Sequence, residues 1–366
     1  MRIVGVRTTV VSLPRAETLT TSYSSGDTAT TVLVELETDE GLTGIGQTAV
    51  ALRSYGETAE GIAANIHTHL APAVVGESPF DLERLNRKLQ AALPDHWSSH
   101  AGIDLALWDL KGKALNVPVY QLLGGKVRPG LALMGFVHHD TPERMAEEAE
   151  QVLEEQAFPV LKMKIGFDIQ QDVERYRAVA EAVAGRAVIQ ADGNTGYSLH
   201  QALPALSKME AIGGLGTAEQ PVKRLAEMSE LARRLNTPIM ADEAIYAPAD
   251  AIEVVRRKAA TVALMKISKH GGLLNVVKIA AIFEAAGLTL SIAIYFDLLA
   301  AVAAHAAAAF PCVRWPSPFT YLQDTLLTES FEPEGLELRV PEGPGFGVAL
   351  DPAKVEAYSV HAATYR

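Results

Sequence analysis

Two lysines two residues apart, Lys162 and Lys164, sit in one short apolar run, and a third, Lys266, closes another. Between them in sequence three acids each end a short run, as Ile189-Gln190-Ala191-Asp192, Gly216-Thr217-Ala218-Glu219 and Ile239-Met240-Ala241-Asp242. In a strand alternate side chains share a face, so Lys162 and Lys164 point one way and Leu161, Met163 and Ile165 the other. If the apolar set packs against helices, both ammonium groups enter an interior, at a cost of several kcal/mol unless anions compensate. Asp192, Glu219 and Asp242 supply those anions. Three converging carboxylates repel one another and shift toward protonation unless a cation joins them. A hard divalent ion fits, and an all-oxygen site with room for water and substrate suits Mg²⁺, with Mn²⁺ as a substitute. A substrate carboxylate on that ion could accept charge as its α-proton leaves. The lysines are then the acid/base groups, with pKa values expected to fall from about 10.4 under the neighbouring ammonium and the metal.

Taken singly, each feature has a plainer reading. Asp192, before Gly193-Asn194, and Asp242 could each be a helix N-cap. The lysines could be inward ion pairs that only neutralise carboxylates. What favours chemistry is the shared location of all of them at the ends of apolar runs.

The elements that must hold these residues are legible around them. From Leu131 onward, eight apolar runs alternate with seven amphipathic helices: 131–136, 161–164, 187–191, 216–219, 239–241, 262–266, 288–294 and 312–315. Such βα repetition implies a parallel sheet, and eight strands close a barrel whose catalytic groups sit where strands end. Strands two and six are four apart in a ring of eight, so Lys164 and Lys266 are expected to face each other across it. The first 130 residues or so read as antiparallel strands followed by helices, an α+β unit. The expected fold is therefore α/β, a modified TIM barrel of (β/α)₇β type with an N-terminal α+β capping domain. Its divisions are placed at 1–128, 129–328 and 329–366, with the last segment folding back onto the cap.

Composition narrows the partners. The 366 residues are 48 % apolar and 21 % charged, as in an ordinary globular protein. A formal charge of −12 argues against nucleic acid, because no basic patch offsets repulsion from phosphate. The single cysteine, Cys312, permits no intramolecular disulfide and reads as a small core residue. The N-terminus lacks the apolar core of a signal peptide, and the longest apolar stretch, 298–310, is too short to span a bilayer. A cytoplasmic homo-oligomer acting on a small carboxylate, with no nucleic-acid or membrane partner, is expected.

At these residues the chain resembles the enolase superfamily, specifically the muconate-lactonizing subgroup of the mandelate racemase/muconate lactonizing enzymes. Lys162-Met163-Lys164 is similar to that subgroup's K-x-K motif, in which the second lysine is the acid/base. Asp192-Gly193-Asn194, Glu219-Gln220-Pro221 and Asp242-Glu243 resemble its metal-ligand motifs. Lys266, with Lys269 and Gly271-Gly272 after it, resembles its second catalytic lysine. Asp104 to Asp109 with Leu122-Leu123-Gly124-Gly125 resembles the family's domain junction. The resemblance implies cap loops at 18–27 and 51–55 that close the site, which makes Tyr23, Arg53 and Tyr55 candidate specificity residues beside Tyr295 and Trp315.

Two departures bear on the reaction. Muconate lactonizing enzymes end the seventh strand with a glutamate where Tyr295 aligns here, with Asp297 two residues on. Relatives that epimerise dipeptides carry Asp-x-Asp on the eighth strand, where this chain reads Val313-Arg314-Trp315-Pro316-Ser317. The leading expectation is an isomerase, a racemase or epimerase of an amino-acid derivative, with muconate-type cycloisomerisation close behind. Syn-dehydration of the o-succinylbenzoate synthase type uses the same residues. Outside the family stand a Schiff-base lyase acting through Lys164 and a catalytically inactive binding protein.

Overall fold

The computed structural model describes residues 1–20 and 25–366; the expected contact residue Tyr23 lies outside them. The chain begins with three antiparallel strands, β1 (Ile3–Thr20), β2 (Ser25–Thr38) and β3 (Thr43–Ala49). Helices α1 (Ala59–Asn65), α2 (Leu82–Ala92) and α3 (Trp97–Leu115) follow. Much of the expected 18–27 loop is thus strand, with β1 running to Thr20 and β2 starting at Ser25.

A second sheet of seven parallel strands carries the strand-end residues. Its members are β4 (Gly135–Val137), β5 (Val160–Lys164), β6 (Val188–Asp192), β7 (Leu215–Glu219), β8 (Ile239–Ala241), β9 (Val262–Met265) and β10 (Thr289–Ile292), with helix α4 (Leu273–Ala285) between the last two. Neighbours in the sheet are neighbours in sequence, from β4 at one edge to β10 at the other. Helix α5 (Asp297–Ala309) comes next, and β11 (Ser359–Tyr365) ends the chain as an antiparallel partner of β1. The curled parallel sheet with its helices and the strand-rich cap is the fold expected of a (β/α)₇β enzyme.

Two expected strands differ. The run 131–136 is split: Gly130–Ala132 pairs antiparallel with Glu337–Arg339, and only Gly135–Val137 joins the parallel sheet. The eighth run, 312–315, closes the ring through isolated bridges, Leu290 with Val313 and Leu133 with Ser317. Pro311, Pro316 and Pro318 deny this stretch the N–H groups of a regular ladder.

Helix α3 is the joint between cap and barrel, buried on nearly every side. Its Asp104 accepts the backbone N–H groups of Leu273 and Leu274, at 2.6 and 3.2 Å, and so caps the orphan donors that open α4. A Cβ on Gly272 would stand 2.3 Å from that carboxylate, which is why glycine precedes α4. Asp109, one turn and a half along, accepts from Ile45 in β3 and from Phe346 in the C-terminal segment.

His305 in α5 makes a comparable link. Its Nδ1 accepts the N–H of Tyr120, and Nε2–H donates to the carbonyl of Phe346 at 3.2 Å. Burial holds its pKa down at about 4, below the usual 6.5. The unfolded chain therefore takes up a proton that the folded chain refuses, and stability falls as pH drops from about 6.5 toward 4. The linked loss is on the order of 3 kcal/mol. Urea unfolding at pH 7.5 and pH 5 should show a steeper decline for the wild type than for His305→Gln; equal declines would rule out this assignment.

Candidate active site

Along β5 every residue is buried, with Leu161 and Met163 in the core between sheet and helices. Alternation then turns Lys162 and Lys164 to the inner face. Register sets Lys164 beside Asp192 and Asp192 beside Glu219. Glu219 in turn lies beside Met240, two residues before Asp242. Lys266 follows β9, so strands β6, β7 and β8 separate the two expected acid/base lysines.

The lysines and acids form one buried network. Lys162 Nζ lies 2.6 Å from Glu219 Oε2 and 2.9 Å from Asp192 Oδ2. Lys164 Nζ donates to the same Asp192 oxygen at 2.6 Å and to Asn194 Oδ1 at 2.7 Å. Lys266 donates to Asp242 Oδ2, and Lys269 to Asp242 Oδ1 at 2.8 Å. The expected three-acid cluster is modified accordingly. Among the described residues no three His, Cys, Asp or Glu groups stand close enough together to hold an ion, because ammonium groups lie between the carboxylates.

The electrostatics follow the contacts. Burial alone would lower Lys162, but Asp192 and Glu219 outweigh it and hold the ammonium above its ordinary range. Lys266 is likewise held well above, chiefly by Asp242 against the effect of burial. The expected depression is thus reversed for these two, since their carboxylates are turned to ammonium groups. Burial pushes Asp192 and Asp242 up, yet their lysines hold both below the usual carboxylate range. Glu219 is raised, by burial and then by repulsion from Asp192. Glu243 is pushed up to about 7, by burial and then by Asp242.

Several supporting residues stood in the sequence motifs without a role of their own. Asn194 links Lys164 to Glu243, which accepts its amide at 3.2 Å. Gln220, at a φ of 35°, accepts from the backbone of Asp242 and Ala244 at 2.8 and 3.1 Å and so fixes the end of β8. Lys269 is fully buried against Asp242. The spacing of Asn194 two residues after Asp192 was a usable signal; Gln220 and Lys269 had none beyond adjacency.

The substrate-facing expectations divide. Tyr55, at the end of the helical turn Leu52–Tyr55 in the cap, shares a hydroxyl–hydroxyl hydrogen bond with Tyr295, just past β10. Tyr246 also donates to the Ser54 carbonyl, so this cap turn is fastened to the barrel twice. Arg53 is exposed. Trp315, expected at the substrate, instead packs on Met240, Val262 and Leu264. Those residues share the inner face with Asp242 and Lys266 but lie nearer the strand starts, so Trp315 belongs to the floor of the barrel. Asp297 is turned to the Thr325 hydroxyl and the Leu326 N–H, and so offers no replacement for a seventh-strand glutamate.

Removing one hydroxyl of the tyrosine pair should cost more than removing both. Tyr55→Phe or Tyr295→Phe leaves a buried hydroxyl unpaired, a loss of about 1–3 kcal/mol, whereas the double variant leaves none. Thermal melts of the three variants read this directly, and strictly additive losses would count against the pairing.

The comparisons agree with this architecture. Residues 3–124 match the family model "Mandelate racemase / muconate lactonizing enzyme, N-terminal domain", and residues 144–354 match "Enolase C-terminal domain-like". The chain is 33 % identical over 292 residues to L-Ala-D/L-Glu epimerase of Bacillus subtilis, covering 79 % of each chain. It is 30 % identical over 362 residues to muconate cycloisomerase 1-1 of Acinetobacter lwoffii, covering 97 % of this chain and 95 % of that one. The crystal structure of N-succinyl Arg/Lys racemase from Bacillus cereus superposes over all of both chains with a TM-score of 0.95, at 26 % identity. Enzymes of this family are generally Mg²⁺-dependent. Among the described residues no helix is long and apolar enough to cross a membrane. The chain belongs to the enolase superfamily, in its muconate-lactonizing subgroup, and is an isomerase.

Proposed function

We propose that the protein is a Mg²⁺-dependent isomerase that removes the α-proton of a small carboxylate, and that the reaction is racemisation or epimerisation of an amino-acid derivative. The observation that carries this reading is the pair of lysines, Lys164 and Lys266, flanking the strands that bear Asp192, Glu219 and Asp242. The donor set fits a hard cation. Two buried carboxylate oxygens, Glu219 Oε1 and Glu243 Oε2, have no hydrogen-bond partner among the described residues, and an orphaned anionic oxygen is costly to bury. Asp192, Glu219 and Asp242 would hold the ion after the ammonium groups between them shift.

Bound Mg²⁺ would fix the substrate carboxylate and lower the cost of charge building on it. Lys164 Nζ takes the α-proton from one face, and Lys266 Nζ delivers one to the other. Lys162 keeps the local field positive beside Lys164. Tyr55 and Tyr295, near Lys266, exclude water from that side; both phenols stay protonated, because burial raises their pKa values. The division into cap (1–128), barrel (129–328) and returning segment (329–366) belongs to this reading, with the cap supplying the lid. A homo-oligomer in the cytoplasm is part of it too.

Muconate-type cycloisomerisation is the second reading, favoured by similarity to a cycloisomerase along nearly the whole chain. Against it stands Tyr295, with Asp297 engaged elsewhere. A panel of N-acylamino acids, dipeptides, betaines and lactones in D₂O, followed by NMR, tests both. Mg²⁺-dependent deuterium uptake at the α-carbon of one class is expected; uptake that persists unchanged after chelation would refute the proposal.

A further inference from the structure

The inner face of β6 carries, below Asp192, a neutral polar residue that the proposed chemistry does not use. Gln190 is 1 % exposed, so both ends of its amide must find partners inside the barrel. The indole Nε1–H of Trp315 donates to Gln190 Oε1. Gln190 Nε2 donates to Glu219 Oε2 at 2.5 Å. An indole nitrogen only donates, so the amide oxygen must face Trp315 and the NH₂ must face Glu219. The ambiguity that usually attends a buried amide is removed by its neighbour.

The consequence falls on Glu219. Its Oε2 takes two donors, the Gln190 amide and the Lys162 ammonium, the latter at 2.6 Å. Its Oε1 takes none among the described residues, although it is buried. The carboxylate is thus held by one oxygen with the other left available. A cationic side chain at position 190 would pin the same oxygen but also neutralise the acid. The amide orients Glu219 without adding a charge that competes with a divalent ion.

We infer that Gln190, oriented by Trp315, is a positioning residue that presents Glu219 Oε1 to the divalent cation. This rests on the metal reading proposed above. It also gives Trp315 a role from beneath the site, through two successive hydrogen bonds, and not at the substrate.

The test measures Mn²⁺ affinity of the full-length protein by the EPR signal of free Mn²⁺, together with melting temperatures recorded without metal. Gln190→Met keeps the side chain's length and apolar fit but removes both hydrogen bonds. It should weaken Mn²⁺ binding by about 10- to 100-fold, as loss of an outer hydrogen-bond partner to a ligand does. Trp315→Phe keeps the aromatic floor but frees the amide to rotate, and should weaken binding by a smaller factor. Because Trp315 acts through Gln190, the double variant should bind no more weakly than Gln190→Met alone. Lowered metal-free melting temperatures with unchanged Mn²⁺ affinity would mean that the pair only packs the barrel, and would overturn the inference. Multiplying losses in the double variant would overturn the relay from Trp315. A wild type that binds no Mn²⁺ would overturn the metal reading itself, and this inference with it.

Discussion

Lys164→Ala is expected to lose α-proton exchange with one enantiomer of the substrate, and Lys266→Ala with the other. The lysines stand at the end of β5 and at the residue after β9, with three strands between them, and on the proposed reading they serve opposite faces of the α-carbon. Each single variant retains the base for its own face, and exchange there should persist. Overall racemisation needs both and should fall by about 10²–10⁴-fold in either variant, the contribution usual for a positioned acid/base group. Deuterium uptake from D₂O into each enantiomer, measured separately, reads the pattern.

Lys266→Arg then separates the reactions. Guanidinium keeps the positive charge beside Asp242 but does not give up its proton near neutral pH. Racemisation should be lost as fully as in Lys266→Ala, whereas a cycloisomerase that uses Lys266 only as a cation should keep much of its rate. Lys162 is no substitute for Lys164, because it is held by Asp192 and Glu219 deeper in the barrel. Wild-type turnover by Lys164→Ala would therefore remove the central claim.

The parts of this site that the sequence made legible are those set by period and strand ends. Lys162 and Lys164 could be placed inward because Leu161 and Met163 had to face helices, and both apolar residues do lie in the core between sheet and helices. The acids could be placed because each ended an apolar run. What the sequence did not carry was depth along the barrel axis. Trp315 closes the last apolar run and Tyr295 follows the one before it, yet one packs under the acid layer and the other stands near Lys266. The prolines around Trp315 make the eighth strand irregular, so its position in sequence does not give its height. Side-chain pairing was equally hidden. Composition and spacing offered the ion pair only as the plainer reading, and did not show that carboxylates on either side would raise the Lys162 and Lys266 pKa values where depression was expected. Contacts distant in sequence, such as Asp104 with the start of α4, also lay beyond pattern reading, since 169 residues separate the partners.

Glu219→Gln should leave the fold intact and abolish useful metal binding. The reason lies in which donors already surround this side chain. Lys162 and Gln190 both donate to the Oε2 position, so the amide oxygen of a glutamine would take that place. Its NH₂ would then occupy the Oε1 position and present hydrogen-bond donors where a cation needs an oxygen acceptor. The substitution thus removes a charge and also reverses the polarity of the ligating group, at nearly unchanged volume. Loss of Mn²⁺ affinity should exceed the roughly 10- to 100-fold that an outer partner contributes. The metal-free melting temperature should change little, because the network keeps its acceptor. Isomerase activity of the wild type should vanish with EDTA and return with Mg²⁺ or Mn²⁺, while Glu219→Gln should fail to recover at the same ion concentrations. Full activity in a verified metal-free preparation, or wild-type Mn²⁺ affinity in Glu219→Gln, would show that these carboxylates serve only as counter-ions to the lysines.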